Sequence, residues 1–180
     1  GLTLVQPFDH EWIVAGQGTV GREILEQRPD LATVVVPIGG GGLVAGVSAA
    51  VKQTNPNVRV IGVEPVGAAK MTASLDAGRP VTLDRVASVA DGLLPVRPGD
   101  LTFAHVQQFV DEVVTVEDRA IAEAVVWLHR RAKLVVEPSG AASVAAVRQL
   151  GAGVRRPVVA ILSGGNMAPD TLAACVALAG

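Results

Sequence analysis

Charged residues are few in this sequence. Only 18% of its 180 residues are Asp, Glu, Lys or Arg, and the formal net charge is −2. That leaves no basic face for a nucleic acid or an anionic membrane surface. Aromatic residues make up 3% and tyrosine is absent, so the core must be built from small and branched aliphatic side chains. The single cysteine, Cys175, excludes an intrachain disulfide and suits a reducing compartment. Mean hydropathy is +0.43, yet no uninterrupted apolar run is long enough to span a bilayer. Gly1–Gln6 has neither a basic start nor a long apolar stretch, so no secretory signal is read there. The expectation is a cytoplasmic protein. Lysine is also scarce: Lys52, Lys70 and Lys133 are the full set.

What the chain does have is Val, Ala, Ile and Leu in short runs that alternate with helical patterns. Leu2–Val5, Ala32–Val36, Val58–Glu64, Val113–Val116 and Pro157–Leu162 read as strands. Between them the spacing predicts helices. One follows Gly16–Thr19 with Val20, Ile24 and Leu25 inward and ends before Pro29. Others run over Leu43–Gln53, Ala68–Leu75, Glu117–Arg131, Ala141–Leu150 and Ala168–Leu178. Arg79–Asp100, with Pro80, Pro95 and Pro98, reads as an irregular surface excursion. Uniformly apolar strands with short connections imply an α/β fold, a mostly parallel sheet covered by helices on both faces. Residues 1–180 are expected to form a single domain.

The strongest chemical signal is Val34-Val35-Val36-Pro37-Ile38-Gly39-Gly40-Gly41-Gly42-Leu43, a strand feeding a four-glycine turn that opens a helix. Consecutive glycines let backbone N–H groups curl around an anion, and the helix dipole adds positive potential there. No Lys-Ser/Thr pair follows, which argues against a nucleoside triphosphate with its magnesium. Glycines kept for tight packing alone are the bland alternative. Upstream, Gly16-Gln17-Gly18-Thr19-Val20-Gly21 satisfies G-x-G-x-x-G. No acidic residue closes the following strand, so these glycines are read as a helix entry, with a dinucleotide site as rival. Ile161-Leu162-Ser163-Gly164-Gly165-Asn166 places a hydroxyl where a strand ends, unless Ser163 simply caps the next helix. Val136-Glu137-Pro138-Ser139-Gly140-Ala141 places a carboxylate at a strand end and a helix start. There the dipole alone would favour it.

Taken in order, six segments resemble the pyridoxal-phosphate-dependent (fold type II) threonine/serine dehydratase and serine racemase family. They are Val14–Thr19, Pro37–Leu43, Gly62–Pro65, Ala90–Gly92, Val136–Ala141 and Leu162–Asn166. The resemblance runs from about Gln6 to about Pro169. It implies the cofactor pyridoxal 5'-phosphate, with its phosphate held by Gly39, Gly40, Gly41, Gly42 and Leu43, and its pyridine nitrogen bonded by Ser163. Gly92 and Glu137 match positions lining the ring. The implied activity is an ammonia-lyase converting L-threonine or L-serine to a 2-oxo acid and ammonia. Serine racemase is the rival within the family, and a non-catalytic phosphate-binding module is the rival outside it. The implied partner is a small amino-acid substrate, with neither nucleic acid nor membrane, in a homo-oligomer when full length.

Two departures from the family pattern carry expectations of their own. The family's cofactor-bonding lysine lies in a Ser-x-Lys-x-Arg segment, and none of Lys52, Lys70 and Lys133 sits in one. The chain is therefore expected to be the C-terminal large-domain part of an enzyme, without the N-terminal segment and small domain, to hold no catalytic lysine, and to be inactive alone. Some family members bind a divalent cation through the glutamate that matches Glu64 and a carbonyl that matches Ala68. A further carboxylate position holds Lys70 here, so no metal is expected; Glu64 and Lys70 are read either as a pair in its place or as two unrelated surface charges.

Overall fold

Every residue of the segment Thr33–Pro37 is buried, and its alternating valines serve opposite faces. The computed structural model, which describes residues 2–180, makes this segment the strand β1. It pairs in parallel with β2 (Arg59–Pro65) on one side and β4 (Val158–Ala160) on the other. β3 (Glu112–Val116) adds to β2, giving the order β3-β2-β1-β4. Val34 and Val36 enter a cluster with Val44, Val47 and Val51 of α2 (Gly42–Thr54), Met71 of α3 (Lys70–Ala77) and Phe103 of α4 (Asp100–Phe109). Val35 enters the other cluster, with Ile121 and Val125 of α5 (Asp118–Trp127), Ala141 and Ala145 of α6 (Pro138–Leu150) and Cys175 of α7 (Pro169–Ala179). A strand covered on both faces has no polar side to show, hence its unbroken apolar run. Among the described residues, no helix is long and apolar enough to cross a membrane.

Several sequence expectations need correcting. Leu2–Val5 joins no ladder and is exposed. Gly16–Thr19 does not open a helix but lies inside α1 (Glu11–Gln27), which starts where the Trp12 N–H donates to His10 Nδ1 at 3.1 Å. The glycines are there for contact with α2: a Cβ on Gly21 would sit 2.8 Å from the Val47 carbonyl, and one on Gly46 would sit 2.6 Å from the Gly18 nitrogen. That close crossing accounts for Gly18 and Gly21 of the G-x-G-x-x-G pattern without a dinucleotide. The helix α4 escaped the sequence reading. Its first turn is capped from far away, by the Asp9 carboxylate accepting from Asp100, Leu101 and Thr102 N–H at 3.0, 3.0 and 3.2 Å.

Other boundaries shift for local reasons. The helix expected to reach Arg131 leaves regular α geometry after Trp127 and widens into a π turn over Leu128–Ala132, closed by Lys133 at φ 60°. The residues before Glu137 are not a strand, because the Leu134 N–H turns back to Leu128 O at 3.3 Å. β4 is shorter than Pro157–Leu162, with ladder partners only for Val158, Val159 and Ala160. Residues 79–99 are irregular as expected, apart from a short 3-10 turn at Asp91–Leu93, while Asp100 already belongs to α4.

The α1–α2 crossing can be tested by two substitutions of opposite sign. Gly46→Ala should lower stability by about 1–3 kcal/mol through overpacking. A Cβ added at Gly16, within α1, would have nothing within 4 Å, so Gly16→Ala should gain up to about 1 kcal/mol. Urea denaturation of both variants measures the pair.

Candidate functional site

In an open parallel sheet, ligands bind beyond the carboxyl ends of the strands, where the connections diverge to opposite sides. Here the chain leaves β1 through α2 to reach β2 on one side, while β4 flanks β1 on the other. The turn after β1 and the turn after β4 therefore border one crevice. A cleft of about 520 Å³ lies there. Its lining includes Gly39, Gly40, Gly41, Gly42 and Leu43 after β1, Ser163 after β4, and Gly92 and Glu137. All the site residues singled out in the sequence thus line a single cavity.

The glycine turn is built with its donors free. Ile38 N–H donates to Val63 O at 2.8 Å, the last sheet-type bond on this segment. Beyond it, no acceptor among the described residues takes the N–H of Gly39, Gly40, Gly41, Gly42 or Leu43. The carbonyl of Gly40, by contrast, is occupied, accepting from Thr102 Oγ1 at 2.7 Å and Gly99 N–H at 3.2 Å. Gly41 takes φ 102°, a left-handed conformation that a side chain rarely adopts. The first N–H groups of α2 add the positive end of the helix dipole. This is the arrangement that receives an anion at a helix start.

Two neighbours support the turn, and local sequence patterns did not reveal them. A Cβ on Gly40 would fall on the Phe8 ring, and one on Gly42 would lie 3.1 Å from Phe8 Cα. The next residue, Asp9, caps α4, so the segment before α1 is fastened across the turn. Proximity in the fold, across about ninety residues of sequence, is what joins Asp9 to Thr102.

The other wall comes from α6 and the turn after β4. Glu137 stands at the N-cap of α6 without capping it through its side chain. Its Oε2 instead accepts the Asn166 N–H at 3.0 Å, and its own N–H donates to Gly164 O at 3.1 Å. A Cβ on Gly164 would meet the Glu137 carboxyl carbon at 2.8 Å, so the glycine is needed for this contact. Ser163 is exposed and its hydroxyl has no hydrogen bond within the described residues. The capping alternative fails, because α7 starts at Pro169 with Ala168 at its cap. Ser139, buried to 3% exposure, accepts the Gly92 N–H at 2.9 Å and ties the ring-side loop to α6. It was part of a quoted motif, yet nothing in its spacing marked it out.

Of the two readings of Glu64 and Lys70, the structure has the pair, with Oε1 to Nζ 3.2 Å and both side chains fully buried, where unrelated charges would lie at the surface. Glu64 also accepts from Met71 N–H, Thr72 N–H and Thr72 Oγ1 at 2.8, 2.9 and 3.0 Å. Burial pushes the Lys70 ammonium below the usual lysine range, and the Glu64 carboxylate opposes that shift. Of the remaining lysines, Lys52 pairs with Asp111 and Lys133 donates to Arg130 O. Among the described residues, no lysine lines the cleft.

Fold and cleft together define a class: an open parallel α/β sheet with an anion cradle at its topological switch point. A family model described as "Pyridoxal-phosphate dependent enzyme" matches residues 1–164, and the chain belongs to that family. It is 46% identical over 167 residues to an L-threonine ammonia-lyase of Thermotoga maritima, covering 93% of this chain and 42% of the relative. It is 43% identical over 146 residues to a serine racemase of Oryza sativa subsp. indica, covering 81% and 43%. The processed form of threonine deaminase isoform 2 from Solanum lycopersicum superposes with a TM-score of 0.95 at 40% identity, over 100% of this chain and 53% of that one. The chain therefore spans less than half the length of these curated relatives.

Gly41→Ala should strain the turn in two ways, through its positive φ and through a Cβ placed 2.8 Å from Thr102 Oγ1. A loss of about 1–3 kcal/mol in unfolding free energy is expected, measured by urea denaturation.

Proposed function

We propose that this chain is the phosphate-binding, large-domain part of an ammonia-lyase that converts L-threonine, with L-serine as a second substrate, to a 2-oxo acid and ammonia. One observation carries the reading most of the way. Gly39–Leu43, whose N–H groups take no acceptor among the described residues, and Ser163, whose hydroxyl is likewise unbonded, line the same cleft in a chain 46% identical to an L-threonine ammonia-lyase.

The residues fit pyridoxal phosphate. The five N–H groups from Gly39 to Leu43 would hold its phosphate, with no side chain on four of them to crowd the anion. Gly92 and Glu137 would border its ring, and Ser163 would meet its pyridine nitrogen. When bound, the cofactor supplies a conjugated ring that takes up the charge left at the α-carbon of an amino acid. Ser163 sets how far that uptake goes. A neutral hydroxyl donates a hydrogen bond to the ring nitrogen without holding a proton there, which favours prompt loss of the β-hydroxyl group. Glu137 positions the Ser163 turn through its bonds to Asn166 and Gly164. With Lys52, Lys70 and Lys133 all away from the cleft, the lysine that bonds the cofactor is proposed to come from a segment outside these residues.

The test uses the full-length protein with pyridoxal phosphate, following ammonia and 2-oxo acid release from L-threonine and D-serine formation from L-serine. Turnover of L-threonine to both products is expected. D-serine formation without ammonia release would replace the lyase reading by a racemase one, and failure to bind pyridoxal phosphate would remove both. Ser163→Asp should slow ammonia release about tenfold or more while the cofactor stays bound, because a carboxylate favours a protonated ring nitrogen. An unchanged rate in a folded, cofactor-loaded variant would separate Ser163 from the ring.

A further inference from the structure

Lys70 is fully buried, and the chemistry proposed above makes no use of it. Its Nζ donates to Ile38 O at 2.8 Å and to Leu93 O at 3.0 Å, besides its contact with Glu64. These two carbonyls have a particular place in the chain. Ile38 immediately precedes Gly39, the first residue of the glycine turn, and Leu93 immediately follows Gly92. The two stretches also touch directly, since a Cβ on Gly39 would lie 2.9 Å from Gly92 O. One ammonium thus grips, from behind, the backbone on both walls of the cleft. Glu64 is held in turn by the first turn of α3, on which Lys70 sits, so the grip is anchored to that helix. No buried polar side-chain atom is left without a partner among the described residues.

We infer that Lys70 is a positioning residue of the cleft, clamping the Gly39 turn against Gly92 so that the turn's N–H groups are set for the cofactor phosphate. The inference rests on the reading that the cleft takes pyridoxal phosphate. A buried ion pair is weak evidence for stability, since apolar residues of similar volume often serve a core as well. The three directed contacts of this ammonium join two backbone segments that no strand ladder joins.

The test compares affinities of the full-length protein for pyridoxal phosphate and for pyridoxal, which lacks the phosphate. Lys70→Met leaves Glu64 buried without its counter-charge, so the second variant is the double substitution Lys70→Met, Glu64→Gln, which removes both charges together. The double variant is expected to fold, to lose about tenfold or more in affinity for pyridoxal phosphate, and to bind pyridoxal almost as before. Equal loss for both ligands, or no loss for either, would overturn the inference, because loosening of the core alone does not single out the phosphate. Failure of both variants to fold would assign Lys70 to stability and overturn it as well. If the unsubstituted protein does not bind pyridoxal phosphate, the functional reading falls and carries this inference with it. Unchanged affinity in a variant whose parent does bind removes the inference alone.

Discussion

Five backbone N–H groups at the junction of β1 and α2 find no acceptor among the described residues, and much of the surrounding structure keeps them so. Unpaired backbone donors are costly inside a fold and rare there, so a run of them marks a place kept for a ligand or for water. The chain holds the junction in this state by occupying everything else nearby. The Gly40 carbonyl is tied to Thr102 and Gly99, Phe8 packs against Gly40 and Gly42, and Asp9 fastens that segment to α4. Glycine is the residue that permits it, because a Cβ at these positions would strike the Gly92 carbonyl, Phe8 or the Thr102 side chain.

The second constraint is the central strand. β1 has neighbours on both edges and helices on both faces, so it is fixed in place more firmly than any loop could be. A turn growing out of such a strand inherits its position, which is how a flexible glycine sequence comes to have a defined geometry. The opposite wall has less regular support. It depends on Glu137, whose carboxylate and N–H both engage the turn after β4, and on Ser139, which holds Gly92. These are single hydrogen bonds between loops and a helix start, where β1 is held by whole ladders.

Belonging to the pyridoxal-phosphate dependent enzyme family also explains why relatives of differing activity resemble this chain about equally. An L-threonine ammonia-lyase at 46% identity matches 93% of this chain and a serine racemase at 43% matches 81% of it. Discrimination between elimination and inversion depends on what faces the substrate.

The parallel α/β class, the strands β1, β2 and β3, the helices α2, α5, α6 and α7, and the glycine turn were all legible in the sequence, because each is a local pattern of period or composition. Gly39–Leu43, Gly92, Glu137 and Ser163 were also legible as candidates, through motifs within a few residues of each. Their convergence on one cleft was decided by strand order, which local pattern does not record. The same holds for the contacts that local pattern did not reveal. Asp9 caps a helix that begins at Asp100, Phe8 packs on Gly40, and Gly18 and Gly21 meet α2. Lys70 reaches carbonyls at Ile38 and Leu93 from its place on α3. Each of these is a contact between segments far apart in the chain, made possible only when packing brings the elements together.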